Sequence, residues 1–214
     1  MKPPAAPDLP PEPAPLEDEP PTLAGFELGE RLVAACDWSG RDATGIRLSE
    51  CRLDSVSLDE ATLRRASVRD VVVSGGSWAN ADATEAFLKR VELRNTRLTG
   101  VSFANAKIED VVFVDCRLDL ASFRFAKLAY VRFEGCLMAE ADFYEAGITS
   151  TVFTGCSLAR AGIAGVTFSD TELRGCDLTA LGNAERLRGV RMPWADIAQS
   201  ADVLAAGLGI EVAE

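Results

Sequence analysis

Large apolar residues recur along this chain every five positions. From Leu28 onward, positions whose numbers end in 3 or 8 are apolar almost without exception, through Val33, Trp38, Leu48, Leu53 and Leu58 to Phe153, Leu158, Phe168, Leu173 and Leu178. Two residues before each, from Cys51 to Cys176, stands a second series that is small or β-branched, and the other three positions of each five are largely polar. An amphipathic helix repeats near 3.6 residues and a half-buried strand at two, so a strict five fits neither. One large and one small inward position per five describes a chain that turns a corner every five residues around a narrow interior. Four corners close a coil of twenty. The sequence supports that number separately, because Cys116, Cys136, Cys156 and Cys176 recur at this interval, as do Val71, Val91, Val111 and Val131. Phe103, Phe123 and Phe143 fall in one column and Phe113, Phe133 and Phe153 in the opposite one, so ladders of like side chains are expected. Stacked at the inter-strand spacing, about eight coils over residues 26–180 make an all-β rod on the order of 37 Å long.

The pattern divides the chain in three. Residues 1–25 hold nine of the ten prolines and several acids, with few large apolar side chains, which predicts a disordered or extended tail. Residues 26–180 carry the repeat, with weak points where Arg31 and Arg41 take small inward positions and where Gly76 and Ala83 leave little to pack. Residues 181–214 leave the register. There Pro193 precedes, and Gly207 and Gly209 follow, a segment in which Trp194, Ile197, Ala201, Leu204 and Leu208 make one apolar stripe, predicting a helix near 193–206.

In its clearest repeats, "ADFYE" at 141–145 and "CDLTA" at 176–180, and more loosely in "ASFRF" at 121–125, the chain resembles the pentapeptide repeat family, whose unit is written A(D/N)LXX with Leu or Phe at the centre. That resemblance implies a right-handed quadrilateral β-helix. It also implies a C-terminal helix that either covers the last coil or joins two rods end to end in a homodimer. The Qnr-type quinolone-resistance members of that family resemble B-form DNA in shape and charge and bind DNA gyrase or topoisomerase IV, so a protein partner of that kind is what the resemblance implies here. The uninterrupted frame has no counterpart of the loops that project from Qnr-type rods.

Charge sharpens and limits this expectation. The 214 residues carry a formal net charge of -11, which argues against direct binding to nucleic acid or to an anionic membrane. Between 26 and 180 there are 23 acids and 18 bases, far fewer net charges than a duplex of the rod's length, which would carry roughly 22 phosphates. DNA mimicry would therefore be local. One candidate is the column through Glu30, Glu50, Asp70, Arg90, Asp110, Tyr130, Ser150 and Asp170; another is the set Asp115, Asp119, Glu134, Glu140, Asp142 and Glu145 in the C-terminal half. Arg64, Arg65, Arg69, Lys89, Arg90, Arg94 and Arg97 form a basic stretch that such mimicry does not need. The competing expectation is a general interaction scaffold with another partner, presenting Leu120, Phe125, Tyr130 and Tyr144 as an apolar interface.

Catalytic chemistry has no foothold in the sequence. His is absent, and no phosphate-binding loop, nucleophile elbow or CxxC metal pair occurs, so no catalytic residue, metal or cofactor is expected. The six cysteines read as small residues suited to tight inward positions. With no apolar signal-peptide core in "MKPPAAPDLPPEPAPLEDEP" and no long apolar run, the expected location is cytoplasmic.

Overall fold

The computed structural model describes residues 2–18 and 20–211. The chain winds into a parallel-strand solenoid of about eight turns with a short helix pair at its C-terminal end. Its strands are β1 (Ala14–Pro15), β2 (Glu27–Gly29), β3 (Arg31–Ala34), β4 (Arg47–Asp54), β5 (Ser67–Ser74), β6 (Phe87–Arg94), β7 (Lys107–Val114) and β8 (Lys127–Glu134). They continue as β9 (Gly147–Thr149), β10 (Val152–Thr154), β11 (Thr167–Ser169) and β12 (Glu172–Arg174). From β2 onward each pairs with the strand one coil away in a parallel register shifted by 20 residues, as in Phe113 beside Phe133 and Val111 beside Val131. The remaining sides of each coil are joined by single bridges such as Ser102 to Ser122 and Arg117 to Leu137.

The five-residue frame governs burial. Every large inward position from Leu28 to Leu178 is buried except Phe168, which is half-buried. The Phe rings stack as the columns predict, with centroids 4.8 Å apart for Phe113 and Phe133 and 4.9 Å for Phe123 and Phe143. Phe123 also meets Phe133 edge to face at 6.1 Å, so the two columns interlock. The small inward series explains its own choice of side chains. Cys116, Thr96, Thr151 and Thr171 each donate an S–H or O–H to the carbonyl two residues earlier, a bond that Ala or Val in the same column cannot make.

Corners fall at residues numbered in fives, and the backbone there is left-handed. Glycine and Asn suit that conformation because it crowds a Cβ against the following carbonyl. Many corners here nevertheless carry larger residues, including Glu50, Asp70, Arg90, Leu120, Phe125 and Tyr130, with φ between 51° and 60°. The coil containing Gly76, expected to be irregular, closes normally. A Cβ on Gly76 would lie 2.2 Å from the Val56 carbonyl oxygen, so glycine is required, and the buried Trp78 fills the interior beside it. Arg31 avoids its nominal inward position by lying exposed on β3.

The leader, expected as a disordered or extended tail, lies extended along the rod over residues 2–18. The β1 segment pairs with β3 and covers the open edge of the first coil, while Leu16 packs on the core and Leu23 is buried. A few apolar anchors and an unpaired sheet edge suffice to dock a proline-rich segment, since an uncovered edge leaves backbone groups without partners. At the other end, the expected single helix is two: α1 (Trp194–Gln199) and α2 (Ala201–Gly207), interrupted at the buried Ser200. The break splits the stripe. Ile197 and Leu204 are half-buried, but Trp194, Ala201 and Leu208 face solvent, and the last coil is instead covered by Leu181, Leu187, Val190, Met192 and Val203. The cap is fastened by Asp196, which accepts the Gly175 N–H at 2.6 Å, and by Gly207, where a Cβ would press to 2.8 Å from the Glu185 amide nitrogen.

Candidate functional site

The predicted acidic column lies along one edge of the rod, its side chains stacked at the coil spacing by successive left-handed corners. It is not a bare row of charge. Asp70, 7% exposed, sits in a two-pronged ion pair with Arg90 one coil on, at 2.6 Å from Nε to Oδ1 and 2.5 Å from Nη2 to Oδ2. Burial raises the Asp70 carboxyl, but the Arg90 fork and an N–H from Asp8 outweigh it and hold the group below the usual aspartate range. Asp170 pairs with Arg191 at 3.0 Å and accepts the Ser150 hydroxyl at 3.1 Å. Asp110 accepts the backbone N–H of Ala5 at 2.9 Å, and Lys2 stands over the Tyr130 ring. Glu30 and Glu50 lie exposed at the N-terminal corners. The leader thus occupies the middle of the column, from Asp70 to Tyr130, which composition alone did not indicate.

The second acidic set is also threaded with arginine. Asp142 pairs with Arg124 at 2.6 Å, Glu140 with Arg160 at 2.8 Å, Glu134 with Arg132 at 3.3 Å and Asp119 with Arg117 at 3.7 Å. Among the described residues, Asp115 and Glu145 have no ion-pair partner. Four of the seven side chains of the basic stretch are ion-paired, Arg64 with Asp82, Lys89 with Glu109, Arg94 with Glu92 and Arg90 with Asp70. Part of the surface charge is thus tied up in pairs within and between coils, and exposed pairs of this kind add little stability each.

The apolar residues separate into parts. Phe125 and Tyr144 meet edge to face at 5.5 Å, and the Arg124 guanidinium lies over both rings, 4.4 Å from the Tyr144 centroid. Leu120 and Tyr130 occupy the corners before and after Phe125 in the same coil, so the three point in different directions around the rod. At the C-terminal end, Trp194 is 80% and Leu208 70% exposed, and Ile210 is also exposed. Shallow clefts lie between the last coil and the helices, one of about 560 Å³ lined by Ala180, Asn183, Asp202 and Ala206.

The cysteine ladder is closed to chemistry. Cys116, Cys136, Cys156 and Cys176 are buried without a disulfide, and hydrogen bonding between successive thiols, with burial, pushes Cys136 and Cys156 up to about 12. Among the described residues, no group of His, Cys, Asp or Glu is arranged to hold a metal ion, and no helix is long and apolar enough to cross a membrane.

Comparison with known proteins agrees with this architecture. Residues 86–163 match the family model described as a pentapeptide repeat region. Two trypsin-treated variants of QnrB1, a plasmid-mediated fluoroquinolone resistance protein, share the fold. One has a TM-score of 0.61 at 20% identity, covering 93% of this chain and 95% of the other. The second has a TM-score of 0.60 at 20% identity, covering 89% and 92%. At that identity the likeness is one of fold. No curated protein matches the sequence.

Proposed function

We propose that this chain, a pentapeptide-repeat protein, is a non-enzymatic binder of another protein and that its partner is a type II topoisomerase, DNA gyrase first. The observation that carries the reading is a rod in which outward carboxylates stand at regular coil intervals while an unpartnered apolar end, Trp194 with Leu208, is offered to a second copy. Joined there, two rods would present one long acidic surface. The family resemblance supplies the target: a DNA-sized object that a DNA-binding enzyme would accept. Because six of the eleven acids in the two candidate sets are ion-paired, the contact is local, and Glu50, Asp115 and Glu145 are its leading carboxylates. A cytoplasmic site of action goes with this partner.

The test is a gyrase supercoiling assay titrated with purified protein, with and without a fluoroquinolone. Inhibition that is weakened by Asp115→Lys together with Glu145→Lys, and by Trp194→Asp, supports a dimeric acidic binder. Absence of any effect on supercoiling and on drug-induced cleavage removes gyrase as the partner.

A second reading, a scaffold for some other protein, is favoured by the Arg124, Phe125 and Tyr144 cluster. Aromatic and Arg side chains packed together at a surface are typical of interface centres. Retained capture of a partner by the acid variants, lost in Phe125→Ala, would select it.

A further inference from the structure

The rod carries a recognition edge for an extended, proline-interrupted segment, and this chain's own leader fills it. Travelling from residue 2 toward residue 20, the leader descends the acidic column. Lys2 Nζ stands 6.0 Å from the Tyr130 ring centroid, Ala5 N–H donates to Asp110 Oδ1 at 2.9 Å, and Asp8 N–H donates to Asp70 Oδ1 at 3.0 Å. Ala14 and Pro15 then align with Arg31 and Leu32, and the Pro20 carbonyl accepts from Arg41 Nη2 at 2.8 Å.

The spacings agree. Asp110 and Asp70 are two coils apart, roughly 10 Å along the rod. Three residues of polyproline-type chain, from Ala5 to Asp8, rise about 9 Å. Proline has no N–H, and a polyproline-type helix makes no internal hydrogen bonds, so its few remaining amides are available to outside acceptors. Two of them meet carboxylates here. Asp70 is held in place from the other side by the Arg90 fork.

We propose that residues 2–8 are a strap bound in cis to the Asp70, Asp110 and Tyr130 edge, which withholds that edge from outside proteins until the strap lifts, while Ala14–Leu16 stay docked on the first coil. The strap is built to lift. On that column it is held by two amide hydrogen bonds and one cation near a ring, with no apolar side chain buried there. The proposal concerns the occupancy of the edge and is independent of the topoisomerase reading.

The test uses the full chain and the double variant Ala5→Pro with Asp8→Pro, which deletes both donors while keeping the leader extended; Ala6→Pro is the control that spares them. Hydroxyl-radical footprinting reads Tyr130 against Tyr144, and amide exchange by NMR reads residues 5, 6 and 8. The expected result is a native chain in which the Ala5 and Asp8 amides exchange roughly tenfold or more slower than their free-chain rates, the equivalent of one net hydrogen bond. Tyr130 modification should rise in the double variant and stay at the native level in Ala6→Pro, with an unchanged melting transition. Free-chain exchange at both amides in the native protein, or Tyr130 modification equal in native and double-variant chains, overturns the strap. Neither readout involves gyrase, so loss of the topoisomerase reading would leave this result standing.

Discussion

Asp70 and Arg90, twenty residues apart, face each other across consecutive coils in a forked ion pair of 2.6 and 2.5 Å that also receives the amide of Asp8. This one contact joins three parts of the chain: two corners of the solenoid and the leader. Arg90 also lies in the field of Asp110, so its charge balances the most crowded part of the column.

Replacing Arg90 by Met strands a nearly buried carboxylate. The Asp70 side chain is 10% exposed and that of Arg90 33%, so the cost falls between surface and buried pairs, about 1–2 kcal/mol. Its pH dependence has a definite sign. Asp70 titrates below the ordinary 3.8 when folded, so the pair's contribution is fully present above that value and is lost as pH falls through the lowered folded one. Urea denaturation at pH 7 and at pH 3 should therefore show a wide gap between native and Arg90→Met chains at pH 7 that narrows at pH 3.

Phe123 and Phe125 are two residues apart and should respond in opposite ways. Phe123 stacks on Phe143 and meets Phe133 edge-on, so Phe123→Ala should cost about 3–5 kcal/mol. Phe123→Asp should yield no soluble, cooperatively folded protein. Phe125 sits at a left-handed corner with φ 59°, where glycine relieves roughly 1–2 kcal/mol of backbone crowding and forfeits the packing on Tyr144. Phe125→Gly should thus stay within about 1 kcal/mol of the native chain. Chemical denaturation of the two variants side by side checks both.

That contrast also marks what could be read from the sequence. The inward columns were legible because a solenoid repeats one environment: Phe123 lies where Phe103 and Phe143 lie, and twenty residues of offset is visible in a string. The contact of Ala5 with Asp110 spans 105 residues and repeats nowhere, so composition made the leader look like a free tail. The cap stripe misled for a local reason. Trp194 and Leu208 belong to one stripe only if the helix is continuous, and Ser200 breaks it. Charge pairing was less legible: the coil of twenty sets Glu140 beside Arg160, but pairs such as Arg64 with Asp82, eighteen residues apart, depend on how a long side chain reaches across to the next coil.

Thiol reactivity offers a test of burial along the whole rod. Of the six cysteines, Cys36 is half-buried and the other five are buried. Burial holds Cys51 above the usual thiol range and Cys136 and Cys156 lie near 12, whereas the bond from Cys136 lowers Cys116, so at Cys116 it is burial that withholds reaction. Titration of the native protein with an aromatic disulfide reagent at pH 8 should find about one fast thiol, and six after denaturation. Rapid reaction of several thiols in the native state would mean that the coils open readily.

The C-terminal end gives the most direct test of self-association. Trp38 and Trp78 are buried in the rod, whereas Trp194 is 80% exposed on α1, so changes in tryptophan emission with protein concentration report on Trp194. If Trp194 and Leu208 meet their counterparts in a second copy, dilution should shift emission to the red as Trp194 returns to water. Light scattering should fall from dimer to monomer mass over the same range. Trp194→Asp places a charge where apolar surface would be buried, so this variant should be monomeric at every concentration. Because Trp194 does not cover the last coil, the variant should melt at the temperature of the dilute native chain. A native protein that stays monomeric at high concentration, with emission independent of dilution, would leave these exposed side chains for a different partner and remove the end-to-end pairing on which a long acidic surface depends.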